Sequence, residues 1–376
     1  MSPRNDKQDI GETKPVRPGE EIDVTRLGAF LRTELDLSSE EIEVMQFPAG
    51  SSNLTYLVRL GGTEYVLRRP PFGNTVKSAH DMQREFDVLS KLSAVYAPAP
   101  KPLLISWDAS IIGSEFYLME RREGLIIRGK IPGTHKSDAQ ARASARAKHD
   151  LENSDEFRRK VCNSFISNLA DLHALDYAAA GLGSLGRIDG YNRRQVEGWT
   201  KRYFAAKTHD WDALEKAIVW LNKNIPVESG ASLIHNDYKF DNVMLDPEDL
   251  GRITAVLDWE MVTVGDPLMD LGTTLGYWMS GDAPEWLLDM PFNPRVLLEN
   301  ISRRELVEMY ADSLGRILPD MLFYYVFGTF KIAVIAQQIY ARYVNGFTRD
   351  ARFARFDKFV AALGRIAADA IDCGSI

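Results

Sequence analysis

Eight residues in the middle of this 376-residue chain, HNDYKFDN at 235–242, set a His, an Asp, a Lys and an Asn close together. The apolar stretch Ala231–Ile234 precedes them and Val243-Met244-Leu245 follows. The spacing His235-x-Asp237-x-Lys239-x-x-Asn242 fits the catalytic loop of phosphoryl-transfer enzymes. Such a loop needs an Asp to meet the attacking hydroxyl. It also needs an Asn five residues on that turns back to hold a metal beside the phosphates. The chain then returns through a turn at Asp246-Pro247-Glu248-Asp249 and the apolar run RITAVL to Leu257-Asp258-Trp259-Glu260. Asp258, at the end of that strand, is placed to be a second metal ligand. Mg²⁺ takes one or two protein carboxylates and completes its shell with phosphate oxygens and water.

The elements that must position this loop follow from periodicity. Asp23 is placed to cap a helix whose Leu27, Phe30, Leu31 and Leu35 share one face. IEVMQF (42–47), LTYLVRL (54–60) and TEYVLRR (63–69) read as strands, the last two joined by Gly61-Gly62, a two-residue hairpin signal. Ser78 is placed to cap a helix over about 79–94, and PLLISW (102–107) and EFYLME (115–120) give two more strands. Residues 42–121 thus read β-β-β-α-β-β. From 155 onward helices dominate, interrupted by a β island over 232–257. Met321–Tyr340, apolar but broken by Lys331, Gln337 and Gln338, reads as a buried helix rather than a membrane span.

Composition narrows the function classes. A hydrophobic share of 45% and a charged share of 26% are those of an ordinary globular protein. A net charge of −8 argues against a broadly basic nucleic-acid face. Cys162 and Cys373 are the only cysteines, so no disulfide framework or zinc spacing exists, and a reducing, cytoplasmic setting is expected. Residues 1–21 are polar and contain Pro, and are expected to form a disordered tail. The basic, Ala-rich stretch 128–149 reads as a solvated loop or surface helix, with a lid or substrate contact as the sharper alternative. Gly181-x-Gly183-x-x-Gly186 matches a dinucleotide fingerprint, but a helix end precedes it where a strand is required.

The segments FPAGSSNLTY, YVLRRPP, QREFDVL, FYLMERREG, LIHNDYKFDN, LDWE and GDPLMDLG occur in the order of a known family. Over about residues 25–365 the chain resembles the aminoglycoside phosphotransferase and choline kinase group, the small-molecule branch of the protein-kinase-like fold. Its nearest likeness is to the phosphotransferase domains found beside, or fused to, acyl-CoA dehydrogenases, with SLGRIDGYNRRQVEGWTKRY (184–203) as the specific similarity. The resemblance implies an α+β, two-lobed fold. Residues 22–121 would be a small antiparallel β lobe with one main helix, and 122–376 a mostly helical lobe carrying the catalytic loop on a β-hairpin.

The resemblance also implies roles. Asp237 would orient the acceptor hydroxyl as catalytic base, His235 would brace the loop, and Lys239 would lie near the γ-phosphate. Asn242 and Asp258 would hold Mg²⁺, and Asp270 would cap the loop's backbone. In the small lobe Gly50, Ser51, Ser52 and Asn53 would fold over the phosphates. Val66 and Arg68, on one face of their strand, would meet the adenine and the phosphates, and Glu85 would pair with Arg68. Met119, Glu120 and Arg121 would form the hinge that meets the base through backbone groups. The cofactors implied are ATP or GTP with Mg²⁺. The family usually has Lys where this chain has Arg68, a planar fork in place of a compact ammonium.

Only a short run separates Asp258 from Asp266-Pro267, which leaves little platform for a peptide and favours a small hydroxylated molecule. Neither nucleic acid nor membrane is expected as a partner; a functional link to an acyl-CoA dehydrogenase is. A cationic acceptor such as an aminoglycoside or choline would need an acidic or aromatic pocket, for which Glu260, Trp259, Tyr277 and Trp278 are candidates. A hydroxylated acyl metabolite is the preferred acceptor class. The alternative is a nucleotide-binding regulatory module without turnover.

Overall fold

The computed structural model describes residues 13–37, 41–47, 53–71, 81–128, 138–279, 283–290, 293–348 and 350–376. Helix α1 (Val24–Glu34) is capped by Asp23, whose carboxylate accepts from Arg26 N. Strands β1 (Glu43–Gln46), β2 (Leu54–Leu60), β3 (Thr63–Arg69), β4 (Pro102–Ser106) and β5 (Phe116–Glu120) form one antiparallel sheet in the order β1-β2-β3-β5-β4. Gly61 and Gly62 both have positive φ (60° and 73°), the geometry that lets a two-residue loop match strand twist.

Strand alternation gives the sheet two apolar faces. One carries Tyr56, Val58, Leu60, Leu67 and Leu118 against Leu27 and Leu31 of α1. The other carries Val66, Tyr117 and Met119 against helix α2 (Met82–Leu92) and is continuous with the core of the second lobe. The α2 cap is Asp81, accepting from Arg84 N at 2.9 Å, in place of the expected Ser78, which lies outside the described residues. A one-turn helix α3 (Ala109–Ile112), unforeseen from sequence, fills the β4–β5 connection.

The expected tail is corrected in part. Lys14 bridges to Gln46 of β1, Arg17 N donates to Gln46 Oε1 at 2.9 Å, and the Tyr56 hydroxyl donates to Glu20 O at 2.7 Å. Residues 14–20 therefore lie along the sheet's first strand, because that edge offers unpaired backbone groups that an extended segment satisfies. Residues 1–12 lie outside the described residues.

The second lobe begins where the chain leaves β5. Leu125 exchanges backbone hydrogen bonds with Leu245, and a side chain at Gly124 would come within 2.6 Å of Thr254 Oγ1. Helices α4 (Asp138–Asn153), α5 (Asp155–Ala174), α6 (Tyr191–Ala206) and α7 (Asp212–Lys223) follow. The β island holds two separate ladders. Strand β6 (Ser232–Ile234) pairs with β9 (Thr263–Gly265), and β7 (Val243–Leu245) pairs with β8 (Ile253–Val256). After these come α8 (Pro267–Tyr277), the single turns α9 (Glu285–Leu288) and α10 (Arg295–Leu298), then α11 (Arg303–Leu314), α12 (Leu322–Val344) and α13 (Phe356–Cys373). Cys373 is the last residue of α13.

Helix α12 is the lobe's central post. It is long and apolar enough to cross a membrane by length and composition, yet 83% of its most apolar window is buried inside the protein. It crosses α8 at glycines. A Cβ on Gly272 would sit 2.2 Å from Tyr324 O, and one on Gly328 would sit 2.1 Å from Gly272 O. Only bare backbones fit this crossing, and it brings two ionisable residues, Asp270 of α8 and Lys331 of α12, beneath the same loop.

Candidate active site

The loop leaves β6 at Ile234 and turns at once. Asn236 takes φ +70°, a left-handed conformation that Asn tolerates better than most residues. The fully buried Asp270 carboxylate accepts from His235 N and Asn236 N, both at 2.7 Å, and from His173 Nε2 at 3.1 Å. Asp270 thus caps the loop as expected. Burial alone would raise its carboxyl, but the His173 hydrogen bond and nearby positive charge outweigh burial and hold it below the usual range. His173, a structural residue, is anchored in turn by Tyr310 at 2.7 Å.

His235 is buried, and burial lowers its pKa, which keeps the imidazole neutral. Its Nε2 lies 2.9 Å from Leu257 O, which can only accept, so Nε2 carries the proton. Nδ1 then accepts from Asp237 N at 3.3 Å. Both ring nitrogens serve the loop's shape, which fits a brace.

Each Asp237 oxygen has a donor. Oδ1 accepts from Tyr277 at 2.6 Å; Oδ2 accepts from Lys239 Nζ at 2.7 Å and Asn242 Nδ2 at 3.0 Å. Burial raises the carboxyl, but Lys239 and the Tyr277 hydrogen bond overcome that, and Asp237 stays ionised well into acid. Lys239 also lies over the Tyr277 ring, 4.7 Å from its centroid. The Asn242 Nδ2 group donates a second time, to Asp237 O at 2.9 Å, which turns the amide oxygen the other way. Asn242 O accepts from Leu257 N at 2.8 Å, so the β7–β8 ladder sets Asn242 beside the residue after Leu257, Asp258. Asp258 has φ +66°, a turn that breaks the strand and exposes its carboxylate.

Across the cleft, Arg68 Nη1 lies 2.8 Å from Glu85 Oε1, the expected pair, and Nη2 lies 3.3 Å from Asp258 Oδ1 and 4.0 Å from Glu260. Asn53 Nδ2 donates to Glu260 Oε2 at 3.2 Å, and Arg84 of α2 donates to Glu260 O and Val262 O. These contacts stitch the lobes together. Gly50, Ser51 and Ser52, expected over the phosphates, lie outside the described residues. Val66 pairs with Met119 across the ladder, both facing the cleft side of the sheet. At the hinge, the Glu120 carboxylate is turned to Lys101 N and Arg122, and Arg121 to Glu64. Those side chains are all taken up by neighbours. The Glu120 N–H, too, is committed to Lys101 O at 2.9 Å.

Among the described residues, the candidates for an acidic, aromatic pocket do not come together in one. Trp259 is core, its Nε1 donating to Val256 O and its ring against His235. Glu260 faces Arg68 and Asn53. Tyr277 and Trp278 do line a narrow recess beside the loop, with Phe165, Lys239, Phe240 and Asn293. The basic stretch contributes Arg128, which donates to Asp241 of the loop, and helix α4. The glycines at 181–186 do not follow the expected helix end, because α5 already stops at Ala174 and a turn intervenes; Gly186 instead packs on β9, where a side chain would strike Val264 O at 2.3 Å.

Three contributors escaped the sequence reading in their actual roles. Tyr277 was a pocket candidate, but it holds the Asp237 carboxylate; its position seven residues after Asp270, two turns along one helix, was the available signal. Lys331 read only as a break in an apolar run. Arg84 carried no signal.

Residues 43–292 match the model of the phosphotransferase enzyme family. Acyl-CoA dehydrogenase family member 11 of Rattus norvegicus is 34% identical over 89% of this chain, which spans only 41% of that protein. A crystal structure from Ralstonia eutropha, provisionally described as an aminoglycoside phosphotransferase, is 29% identical, covers 93% of this chain and 98% of its own, and superposes with a TM-score of 0.71. A thermostable aminoglycoside phosphotransferase in complex with ADP and hygromycin B shares the fold at 16% identity, covering 92% of this chain and 97% of its own, with a TM-score of 0.55. With two lobes, a capped HNDYKFDN loop and a family match over most of its length, this chain belongs to the phosphotransferase enzyme family and has its kinase-like fold.

Proposed function

We propose that this chain is an ATP- and Mg²⁺-dependent phosphotransferase that moves the γ-phosphate to a hydroxyl of a small molecule. The observation that carries the reading is the convergence of Asp237, Asn242 and Asp258 on one hairpin, facing the Arg68–Glu85 pair of the other lobe. Nucleotide binding is supported by the ADP-bound relative.

The residues fit Mg²⁺. The donors on offer are oxygens only, the Asn242 amide oxygen and the Asp258 carboxylate. Three carboxylates, Glu85, Asp258 and Glu260, lie within 4.0 Å of the single Arg68 guanidinium. That negative surplus suits a hard divalent cation shared with phosphates. When bound, the ion would neutralise charge on the phosphate oxygens. Asp237, ionised, accepts a hydrogen bond from the acceptor hydroxyl and aligns its oxygen with the phosphorus. Its low basicity suits a loose transition state, in which the proton leaves late. Lys239 sits beside that carboxylate, where a cation meets charge on the transferring group.

The acceptor we favour is a hydroxylated acyl metabolite, in a cytoplasmic setting, ahead of an aminoglycoside or choline-like alcohol. The similarity to acyl-CoA dehydrogenase family members supports it, as does the lack of an acidic pocket among the described residues. That similarity also supports a functional link to an acyl-CoA dehydrogenase. The test is thermal unfolding with and without Mg-ATP. A ligand at about 100 times its Kd adds roughly 2.7 kcal/mol. A Mg²⁺-dependent rise of a few degrees that shrinks in Asp258→Ala is expected; no rise with any nucleotide sinks the proposal.

One observation favours a second reading. Arg68 reaches both Glu85 and Asp258, which a regulatory nucleotide binder without turnover could use as a fixed inter-lobe latch. Arg68→Lys separates the two: a catalyst adapted to Arg loses rate, and a decayed one gains it.

A further inference from the structure

Helix α12 buries one ammonium. Lys331 is 1% exposed, and among the described residues no carboxylate lies within ion-pair distance of it. Its Nζ lies 2.7 Å from Asn236 O and 3.0 Å from Asn236 Oδ1, with the Trp199 ring centroid at 5.7 Å. A buried charge satisfied mainly by neutral oxygens is costly, so its retention calls for a reason.

Asn236 is the left-handed residue immediately before Asp237. Every polar group it has is held: N by Asp270, Nδ2 by Met261 O, and both oxygens by Lys331. The peptide that links Asn236 C=O to Asp237 N is therefore fixed at both ends, by Lys331 and by His235 Nδ1. Turning that peptide plane would swing the Asp237 carboxylate away from Lys239 and Asn242.

We infer that Lys331 is a positioning residue for catalysis: it sets the plane of the 236–237 peptide and thereby aims the Asp237 carboxylate at the acceptor. This rests on the function proposed for Asp237. The nucleotide side is untouched by it, since Lys331 contacts neither Arg68 nor Asp258.

The experiment measures Mg-ATP turnover with water as the acceptor, where the γ-phosphorus–oxygen bond to ADP breaks as water's oxygen bonds to phosphorus. ADP affinity and thermal midpoint are measured alongside for wild type, Lys331→Met, Lys331→Gln and Asp237→Asn. Lys331→Met should lower kcat about 10- to 100-fold, the equivalent of losing hydrogen bonds from a charged donor. KM for ATP and ADP affinity should stay within about twofold, and Lys331→Gln should fall between. If Lys331→Met does not fold, Lys331→Gln and Asn236→Gly carry the test. Gly removes the strain and the Oδ1 partner, so Lys331→Gln should cost less kcat in the Asn236→Gly background than alone. Full kcat in folded Lys331 variants, with Asp237→Asn inactive, overturns this inference alone. So does an equal loss of kcat and ADP affinity. Turnover unchanged in Asp237→Asn overturns the role proposed for Asp237 and this inference with it.

Discussion

The two walls of the cleft are built on opposite electrostatic plans. On the loop side, Asp270 is fully buried with three donors on its oxygens, and its carboxyl is held low despite burial. On the Arg68 side, Glu85 is equally buried, yet burial raises its carboxyl and Arg68 offsets only part of that. The first wall is a closed network in which every charge serves the loop's shape. The second gathers carboxylates around one guanidinium, an arrangement that a cation and a polyphosphate together would balance. On the proposed function, a rigid, self-satisfied frame would suit the group that is aimed, and a charge cluster with partly exposed members would suit a site that exchanges its ligand.

The comparison is broken most severely at Asp237. Asp237→Ala should lose about 10²–10⁴-fold in turnover while leaving Mg-ATP binding in place, as read by single-turnover rates and calorimetry. Equal turnover would remove the loop side from the chemistry. Asp270→Ala tests the closed network directly. It orphans two buried N–H groups and His173, so a loss of about 3–5 kcal/mol in denaturant unfolding is expected. An effect under about 1 kcal/mol would show that the loop holds itself.

Tyr277→Phe should be milder, about tenfold in kcat, for one hydrogen bond to a charged group. It should also shift the acid limb of the pH–rate profile upward, because that bond helps hold the Asp237 carboxyl low. An unmoved acid limb would take Tyr277 out of that role. The smallest effect is a slope. Burial lowers Lys331 to about 8, below its usual value near 10.5, against the pull of Asp270 and Asp237, with Arg202 and Lys239 lowering it further. The unfolded chain then binds more protons between those values, so stability should rise as pH goes from about 8 toward 10.5. Lys331→Met should flatten that rise in pH-dependent unfolding, and an unchanged slope would mean another group is responsible.

Much of the frame was readable beforehand because its signals are local. β2 and β3 appear at 54–60 and 63–69 as expected, since alternation and a Gly-Gly turn act within a few residues. The Asp23 cap, the onset of helix at 155 and the buried α12 followed from equally short-range rules. What was missed is short or depends on distant partners. β9 is three residues long and exists because β6 lies beside it. Residues 14–20 are ordered by the edge of β1. The cap of α2 is Asp81, where the sequence suggested Ser78.

The sequence by itself determined which chemical groups are present and in what order: an Asp, a Lys and an Asn at loop spacing, a second Asp at the end of a strand, and an Arg and a Glu in the other lobe. Those facts depend on residue type and separation along the chain. The tertiary structure alone decided that Tyr277 holds the Asp237 carboxylate, that Glu260 faces Arg68 rather than the recess beside the loop, and that a lysine 95 residues from Asn236 clamps its carbonyl. The reason is steric. The glycine crossing of α8 and α12 lets two backbones touch, and that contact carries Asp270 and Lys331 under one loop, a convergence that no local pattern encodes.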